Sequence, residues 1–206
     1  MQSDNPQDGF SEEEEAIQRG KEDIEWMLQV GQGDVEAFER LVKRHQDSVV
    51  ATVVRMLGDS DEAQDIAQQV FVRVWKSAGR YQPTAKFTTW LFTITKNLVY
   101  NETRRRSRRP QVSLEEQQEK RVFPIEPVAV ERPDDEALHA EMTRAIDEAI
   151  ETLPENQRIA LVLRRFELLS YEEIAKIMEL TVPSVKSLLF RARSHLRQAL
   201  ESYLKK

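Results

Sequence analysis

Arg191 is the residue of this chain best placed for recognition chemistry. Ser184, Ser187 and Leu188 precede it by seven, four and three positions, so the four share one helical face. A guanidinium on such a face can pair with the two acceptors of a guanine edge, and a leucine beside it can meet a thymine methyl. Lys186, Arg193 and Arg197 recur at i, i+7 and i+11 on one flank, where cations suit phosphates. A helical hairpin with a solvated basic face would show the same charges. The coincidence of cap, turn, proline and one-sided charge described below favours DNA.

A second group lies near Phe87. On the side opposite its apolar stripe stand Thr89, Thr93, Lys96, Asn97 and Tyr100, followed by Arg104, Arg105, Arg106, Arg108 and Arg109. Polar and aromatic groups beside strong positive charge suit single-stranded or distorted DNA, whose bases stack on rings. A core helix with a basic end explains the same residues, because cations at a helix C-terminus also favour the dipole. The residues alone leave both readings open. A third group, Asp65, Gln68, Gln69, Val72 and Lys76, reads by composition as a solvated helix face.

Nothing points to bond-making chemistry. There is no glycine-rich phosphate loop, no HExxH and no nucleophile–base arrangement, so no catalytic residue is expected. Three scattered histidines and no cysteine argue against a metal site, and no cofactor is expected.

The elements that must position these groups are all helical. Residues from Asp34 to Met56 carry Phe38, Leu41, Val42, His45, Val49 and Val53 at three- and four-residue steps, and Gly58 stops them. Asp61 with Gln64 resembles a capping arrangement for a helix burying Ala63, Ile66, Ala67, Val70, Val74 and Ala78. Gly79 and Pro83 bracket a loop, Arg80 to Lys86. The next helix has Phe87, Trp90, Leu91, Ile94 and Leu98 on one face and ends at the arginines before Pro110.

Residues 110–133 change character. Four prolines, at 110, 124, 127 and 133, leave no periodicity beyond a short helical turn at Leu114 to Lys120. This predicts a flexible linker. A helix capped by Asp134 or Asp135 then runs to about Thr152, and Pro154 separates it from one burying Ile159, Val162, Leu163 and Phe166. Ser170-Tyr171-Glu172-Glu173 is a capping box opening a short helix. After a turn at Glu179-Leu180, Thr181 caps a long helix with Pro183 in its first turn, which buries Val185, Leu189, Ala192, Leu196 and Leu200. Two such helices around a tight turn describe a helix-turn-helix.

Composition sets the remaining bounds. The 206 residues are 32 % charged and 40 % hydrophobic, with 30 Lys/Arg against 36 Asp/Glu and a net charge of -6. The imbalance is local: residues 1–40 hold 12 acidic and 3 basic side chains, whereas Thr181 to Lys206 holds six Lys/Arg and one acid. Phosphate binding follows the local field, so an acidic chain can carry basic contact surfaces. No run of 18 apolar residues exists, so no membrane insertion is expected. An acidic start without an apolar stretch is not a secretory signal, and a cysteine-free chain fits the cytoplasm.

Together the pieces resemble the extracytoplasmic-function (ECF) sigma factors, the smallest members of the main bacterial sigma family. The resemblance covers residues 22–109 and 134–203. Its first part rests on Gly33-Asp34 with Ala37-Phe38, on Asp65-Ile66-Ala67-Gln68-Gln69-Val70-Phe71, and on Phe87-Thr88-Thr89-Trp90-Leu91 followed by Lys96-Asn97-Leu98. The second rests on Leu153-Pro154, Ser170 to Ala175, Val185-Lys186-Ser187 and Arg191-Ala192-Arg193.

The resemblance implies an all-α protein of two small helical domains joined by a flexible linker. Residues 22–109 would be a region 2-like domain, 110–133 the linker and 134–206 a region 4-like helix-turn-helix domain; residues 1–21, by composition an acidic, mobile or weakly helical tail, are not part of the family's common pattern. It implies binding to core RNA polymerase through Asp65, Gln68, Gln69, Val72 and Lys76. It implies minus-ten DNA contacts from Arg80, Tyr81, Lys86, Thr93, Lys96, Asn97, Tyr100, Arg104 and Arg105, and minus-thirty-five contacts from Ser184, Lys186, Ser187, Leu188, Arg191, Arg193 and Arg197. Promoter DNA and core polymerase are then the partners, with an anti-sigma factor a candidate third. The chain departs from the family near Asn101, often aspartate, at Glu179, often glycine, and at Leu188, often basic. Promoter preference therefore does not carry over, and Glu179 strains the turn if φ there is positive. The rival expectation is a stand-alone helix-turn-helix regulator acting on duplex DNA without polymerase.

Overall fold

The computed structural model describes residues 12–58, 60–108 and 133–201. Among them are α1 (Glu12–Gly31), α2 (Val35–Leu57), α3 (Ser60–Ser77), a 3-10 turn (Ala78–Arg80), α4 (Phe87–Arg108), α5 (Pro133–Glu151), α6 (Glu155–Arg165), α7 (Tyr171–Met178) and α8 (Val182–Ala199), and no strand. The Asp61 cap, the turn at Leu114–Lys120 and the Asp134 or Asp135 cap fall on residues or side chains outside those described. The backbone already turns helical at Pro133, whose fixed φ suits a first turn.

Local chemistry sets the ends. The Asp34 carboxylate accepts the Ala37 amide at 2.9 Å, an N-cap for α2. Gly58 closes that helix at φ 72°, its amide donating to the Val54 carbonyl at 2.8 Å. Between these ends α2 buries Leu41, His45, Val49 and Val53 of the expected stripe together with Ala37 and Met56, while Phe38 and Val42 are half-buried. α1 begins at Glu12, so residues 12–21, read from sequence as part of a mobile or weakly helical tail, form the first turns of a helix. Its later turns bury Asp23, Met27 and Val30, and Arg44 of α2 bonds the Arg19 carbonyl and the Glu22 and Asp23 carboxylates. At its end a Cβ on Gly31 would meet the Ala78 carbonyl oxygen at 3.0 Å, so any larger residue there would push the α1 terminus and the 3-10 turn apart by a few tenths of an ångström.

α1, α2, α3 and α4 pack as one bundle, and α6, α7 and α8 as a second group. The two groups touch: α7 lies on α4, α6 on α2, and α5 bridges α2 and α8. Met27, Leu41, Met56 and Leu91 from the first group, and Ile159, Leu163, Ile174, Ile177 and Leu189 from the second, are all below 2 % exposed. Each contributes ~1.5–3 kcal/mol by burial. Exposed ion pairs contribute ~0–1 kcal/mol each, so apolar packing carries the fold.

α4 departs from the sequence expectation. Its apolar stripe is covered as predicted at Phe87, Leu91 and Leu98, but Thr89, Phe92, Thr95, Lys96 and Val99 are buried too. The spacing had placed Thr89 and Lys96 on the free side. α7 covers that side, and periodicity along one helix carries no information about a second partner more than seventy residues away.

Candidate nucleic-acid interface

The helix-turn-helix is built by capping. The Ser170 hydroxyl accepts the Glu173 amide at 3.2 Å while a Glu173 carboxylate oxygen accepts the Ser170 amide at 2.7 Å. Burial works against the Glu173 charge, but the two Ser170 bonds and the Lys86 ammonium outweigh it and hold this carboxyl below its usual range. α7 ends at Glu179, and the Leu180 amide reaches back to the Ala175 carbonyl at 2.9 Å. Thr181 then caps α8, accepting the Ser184 amide at 3.4 Å. Val185, Leu189 and Ala192 turn inward as expected.

The outward side of α8 presents Ser184, Lys186, Arg191, Arg193 and Arg197 to solvent, with Ser187 and Leu188 half-buried. Arg191 Nη2 donates to Ser187 Oγ at 2.9 Å, which holds the guanidinium against the helix. Sequence reasoning passed over Phe190, which is 70 % exposed in the middle of this face. The signal was available: position 190 falls outside the 185, 189, 192, 196 stripe, so an inward ring was excluded by spacing.

On α3, Asp65, Gln68, Gln69, Val72 and Lys76 are all exposed and share one face. Trp75, also missed from sequence, extends that face. It is 39 % exposed and packs edge-on against Phe38 at 5.1 Å, and Val72 beside it is 49 % exposed.

The α4 region is divided. Arg80, Lys86, Asn97, Arg104 and Arg105 are exposed, Thr93 and Tyr100 half-buried, and Tyr81 and Lys96 buried. Tyr81 stacks edge-on against Trp90 at 5.1 Å, and burial, helped by the Asp23 charge, pushes its phenol up to about 12. Thr93 Oγ1 donates to the Thr89 carbonyl of its own helix at 2.8 Å. Lys96 Nζ meets Glu179 Oε1 at 3.2 Å, and the Tyr100 hydroxyl donates to Asn156. The arginine run is partly balanced within the chain: Arg105 bonds Glu102 at 2.7 Å and Arg106 bonds Glu62 at 2.7 Å. In this arrangement Tyr81 and Lys96 are withdrawn from solvent, while Arg80, Lys86, Asn97 and Arg104 face outward.

Two family models match the chain, Sigma-70 region 2 over residues 41–109 and Sigma-70, region 4 over residues 143–196. The chain is 35 % identical over 187 residues to the RNA polymerase sigma-H factor of Pseudomonas aeruginosa, covering 90 % of this chain and 97 % of that protein. The protein belongs to the ECF sigma factors of the sigma-70 family. The ECF RNA polymerase sigma-E factor of Haemophilus influenzae is 34 % identical over 84 % of this chain and 92 % of its own length. Among solved structures, CnrH in complex with the cytosolic domain of CnrY matches with a TM-score of 0.64 at 25 % identity, over 88 % of this chain and 98 % of that one. The sigma factor RpoE of Bartonella quintana, solved with the anti-sigma factor NepR, matches with a TM-score of 0.62 at 27 % identity, over 81 % and 98 %.

As an ECF sigma factor the protein binds core RNA polymerase, recognises promoter DNA and promotes strand opening at initiation. The family is one of initiation factors and not of enzymes. The stand-alone regulator reading falls, because the match extends over the region 2 bundle as well as the helix-turn-helix. No helix among the described residues is long and apolar enough to cross a membrane.

Proposed function

We propose a division of labour within this ECF sigma factor. The α3 face of Asp65, Gln68, Gln69, Val72 and Lys76, widened by Trp75, docks on core polymerase. Arg80, Tyr81, Lys86, Thr93, Lys96, Asn97, Tyr100, Arg104 and Arg105 serve the minus-ten element, and Ser184, Lys186, Ser187, Leu188, Arg191, Arg193 and Arg197 the minus-thirty-five element. The observation that carries the first assignment is the pair of exposed apolar side chains, Val72 and Trp75, beside the carboxylate of Asp65 on one helix face. A merely solvated face has no use for them. Phe190, bare beside Arg191, suits the apolar edge of a base in the groove.

Energetics favour shared work. Opening DNA gives up ~1.4 kcal/mol of stacking per step, and a flipped base costs a few kcal/mol unless a pocket receives it. Domains this small act together with polymerase, where tethering makes two modest DNA contacts and one protein contact mutually reinforcing. An anti-sigma factor in the bacterial cytoplasm is a further partner we infer, by likeness to the RpoE–NepR pair.

Co-elution of the chain with bacterial core polymerase tests the reading, with Asp65→Arg alongside. Stoichiometric binding that the substitution destroys, with helicity intact, supports the α3 assignment. Wild-type affinity in the variant removes it.

A further inference from the structure

The arginines that end α4 are not one basic surface. The 3.6-residue repeat divides them between two sides of the helix. Arg104 and Arg108 continue a line begun by Asn97 and Asn101, at i, i+4, i+7 and i+11, and all four are exposed. Neither Arg104 nor Arg108 forms an ion pair among the described residues, whereas Arg105 and Arg106 turn toward the start of α3 and both do. Arg105 grips Glu102 through two bonds of 2.7 Å and reaches Glu62 at 3.3 Å. Arg106 takes Glu62 at 2.9 and 2.7 Å and lies 3.5 Å from Glu102. Two carboxylates and two guanidiniums thus share one cluster whose net charge is zero. Glu102 sits deepest, its side chain 12 % exposed, and the Arg105 bond holds its carboxyl below the usual range, so it is ionised at neutral pH.

We propose that Glu62 and Glu102 are positioning residues that decide which arginines of the run reach nucleic acid. They commit Arg105 and Arg106 to pinning the end of α4 against α3, and they leave Arg104 and Arg108 to meet phosphates. The proposal rests on the assignment of the α4 end to promoter DNA; within it, Arg105 serves by fixing the helix and not by touching the strand. The consequence is selectivity. Phosphate contacts carry no sequence information, yet they supply most of the grip on arbitrary DNA. With two guanidiniums neutralised inside the domain, the factor holds arbitrary DNA less tightly, and discrimination is left to the side chains that read bases.

The test is the salt dependence of binding between the full-length chain and a mixed-sequence single-stranded oligonucleotide, followed by fluorescence anisotropy. Each phosphate neutralised adds about 0.7 to the steepness of the log–log slope. Arg104→Gln should make the slope shallower by about 0.7. Glu102→Gln, which frees Arg105, should make it steeper by a similar amount. The double variant Glu102→Gln with Arg105→Gln removes an acid and a base together and should match wild type. Glu39→Gln controls for bulk charge. Glu39 is exposed beside Phe38, which packs on Trp75, thirteen residues along α3 from Glu62 and so ~20 Å away, beyond the ~8–10 Å reach of a screened charge. A double variant as shallow as Arg104→Gln would place Arg105 on a phosphate and overturn the proposal. So would a Glu102→Gln slope equal to wild type, or a Glu39→Gln slope as steep as that of Glu102→Gln. An unchanged slope in Arg104→Gln is a different failure, that of the DNA assignment itself, and the proposal falls with it. Circular dichroism checks the helicity of each variant. Should Glu102→Gln lose it, Glu62→Gln, which frees Arg106, takes its place with the same expected steepening and the same overturning result.

Discussion

His45 Nε2 lies 3.0 Å from Asp23 Oδ2, at a point where both residues are almost shut off from water. The other oxygen of the same carboxylate accepts from Arg44 Nη1 at 2.9 Å, and the Arg44 guanidinium stacks over Trp26 at 4.1 Å. One carboxylate thus ties α1 to two consecutive residues of α2. Truncating one partner of a buried pair leaves the others desolvated and uncompensated. Asp23→Ala should therefore lower stability by about 3 kcal/mol in urea denaturation. Asp23→Asn, which keeps the shape and one acceptor, should lose less. Equal stability of Asp23→Ala and wild type would show that α1 is held by its apolar side alone.

The capping box gives a prediction in pH. Glu173 has its carboxyl held below the ordinary value of 4.5 in the folded chain. Its contribution is therefore complete above that value and drains away as the pH falls through the depressed folded value. Ser170→Ala removes the cap at a cost of ~1 kcal/mol at neutral pH. The hydroxyl's bond with the Glu173 amide does not titrate, so the gap between variant and wild type should narrow, but not close, as the pH drops below 4.5. A gap that stays constant down to pH ~3 would assign the cost to the hydroxyl alone.

Leu168 is strained without compensation. It sits at φ 54° between α6 and α7, and its side chain is 76 % exposed, so it pays for the left-handed backbone with no burial in return. Asparagine adopts that region more readily. Leu168→Asn should gain ~1 kcal/mol and raise Tm by about 2–4 °C for a chain of this length. A lower Tm would show that Leu168 packs in solution.

Arg191→Ala should separate base reading from phosphate contact. Loss of a two-bond guanine contact costs ~1–3 kcal/mol on the cognate upstream element and little on other sequences. An equal loss on every sequence, with a shallower salt dependence, would demote Arg191 to a phosphate contact.

Much of this structure was legible because its signals are local. Ser170 and Thr181 cap the helices they were expected to cap, Gly58 and Pro154 end or begin them, and Val185, Leu189 and Ala192 point inward. Lys96 was misjudged for a physical reason. A lysine opposite an apolar stripe normally faces water, and only a carboxylate 83 residues away reverses that. Thr95 can be buried because its hydroxyl returns to the Leu91 carbonyl at 3.0 Å, a bond invisible to hydrophobic patterning. The start of α1 was legible only as a mobile or weakly helical stretch, because Glu12 to Lys21 offers no stripe of its own. Arg44, on another helix, bonds the Arg19 carbonyl, a tie that no pattern within Glu12 to Lys21 reveals.

The double burial of α4 also bears on how the protein melts. A helix claimed from both sides cannot let go of one group of helices without baring apolar surface on the other. Calorimetry of the free factor should then show one heat-absorption peak, with van't Hoff and calorimetric enthalpies in agreement, although the chain is assembled from two family modules.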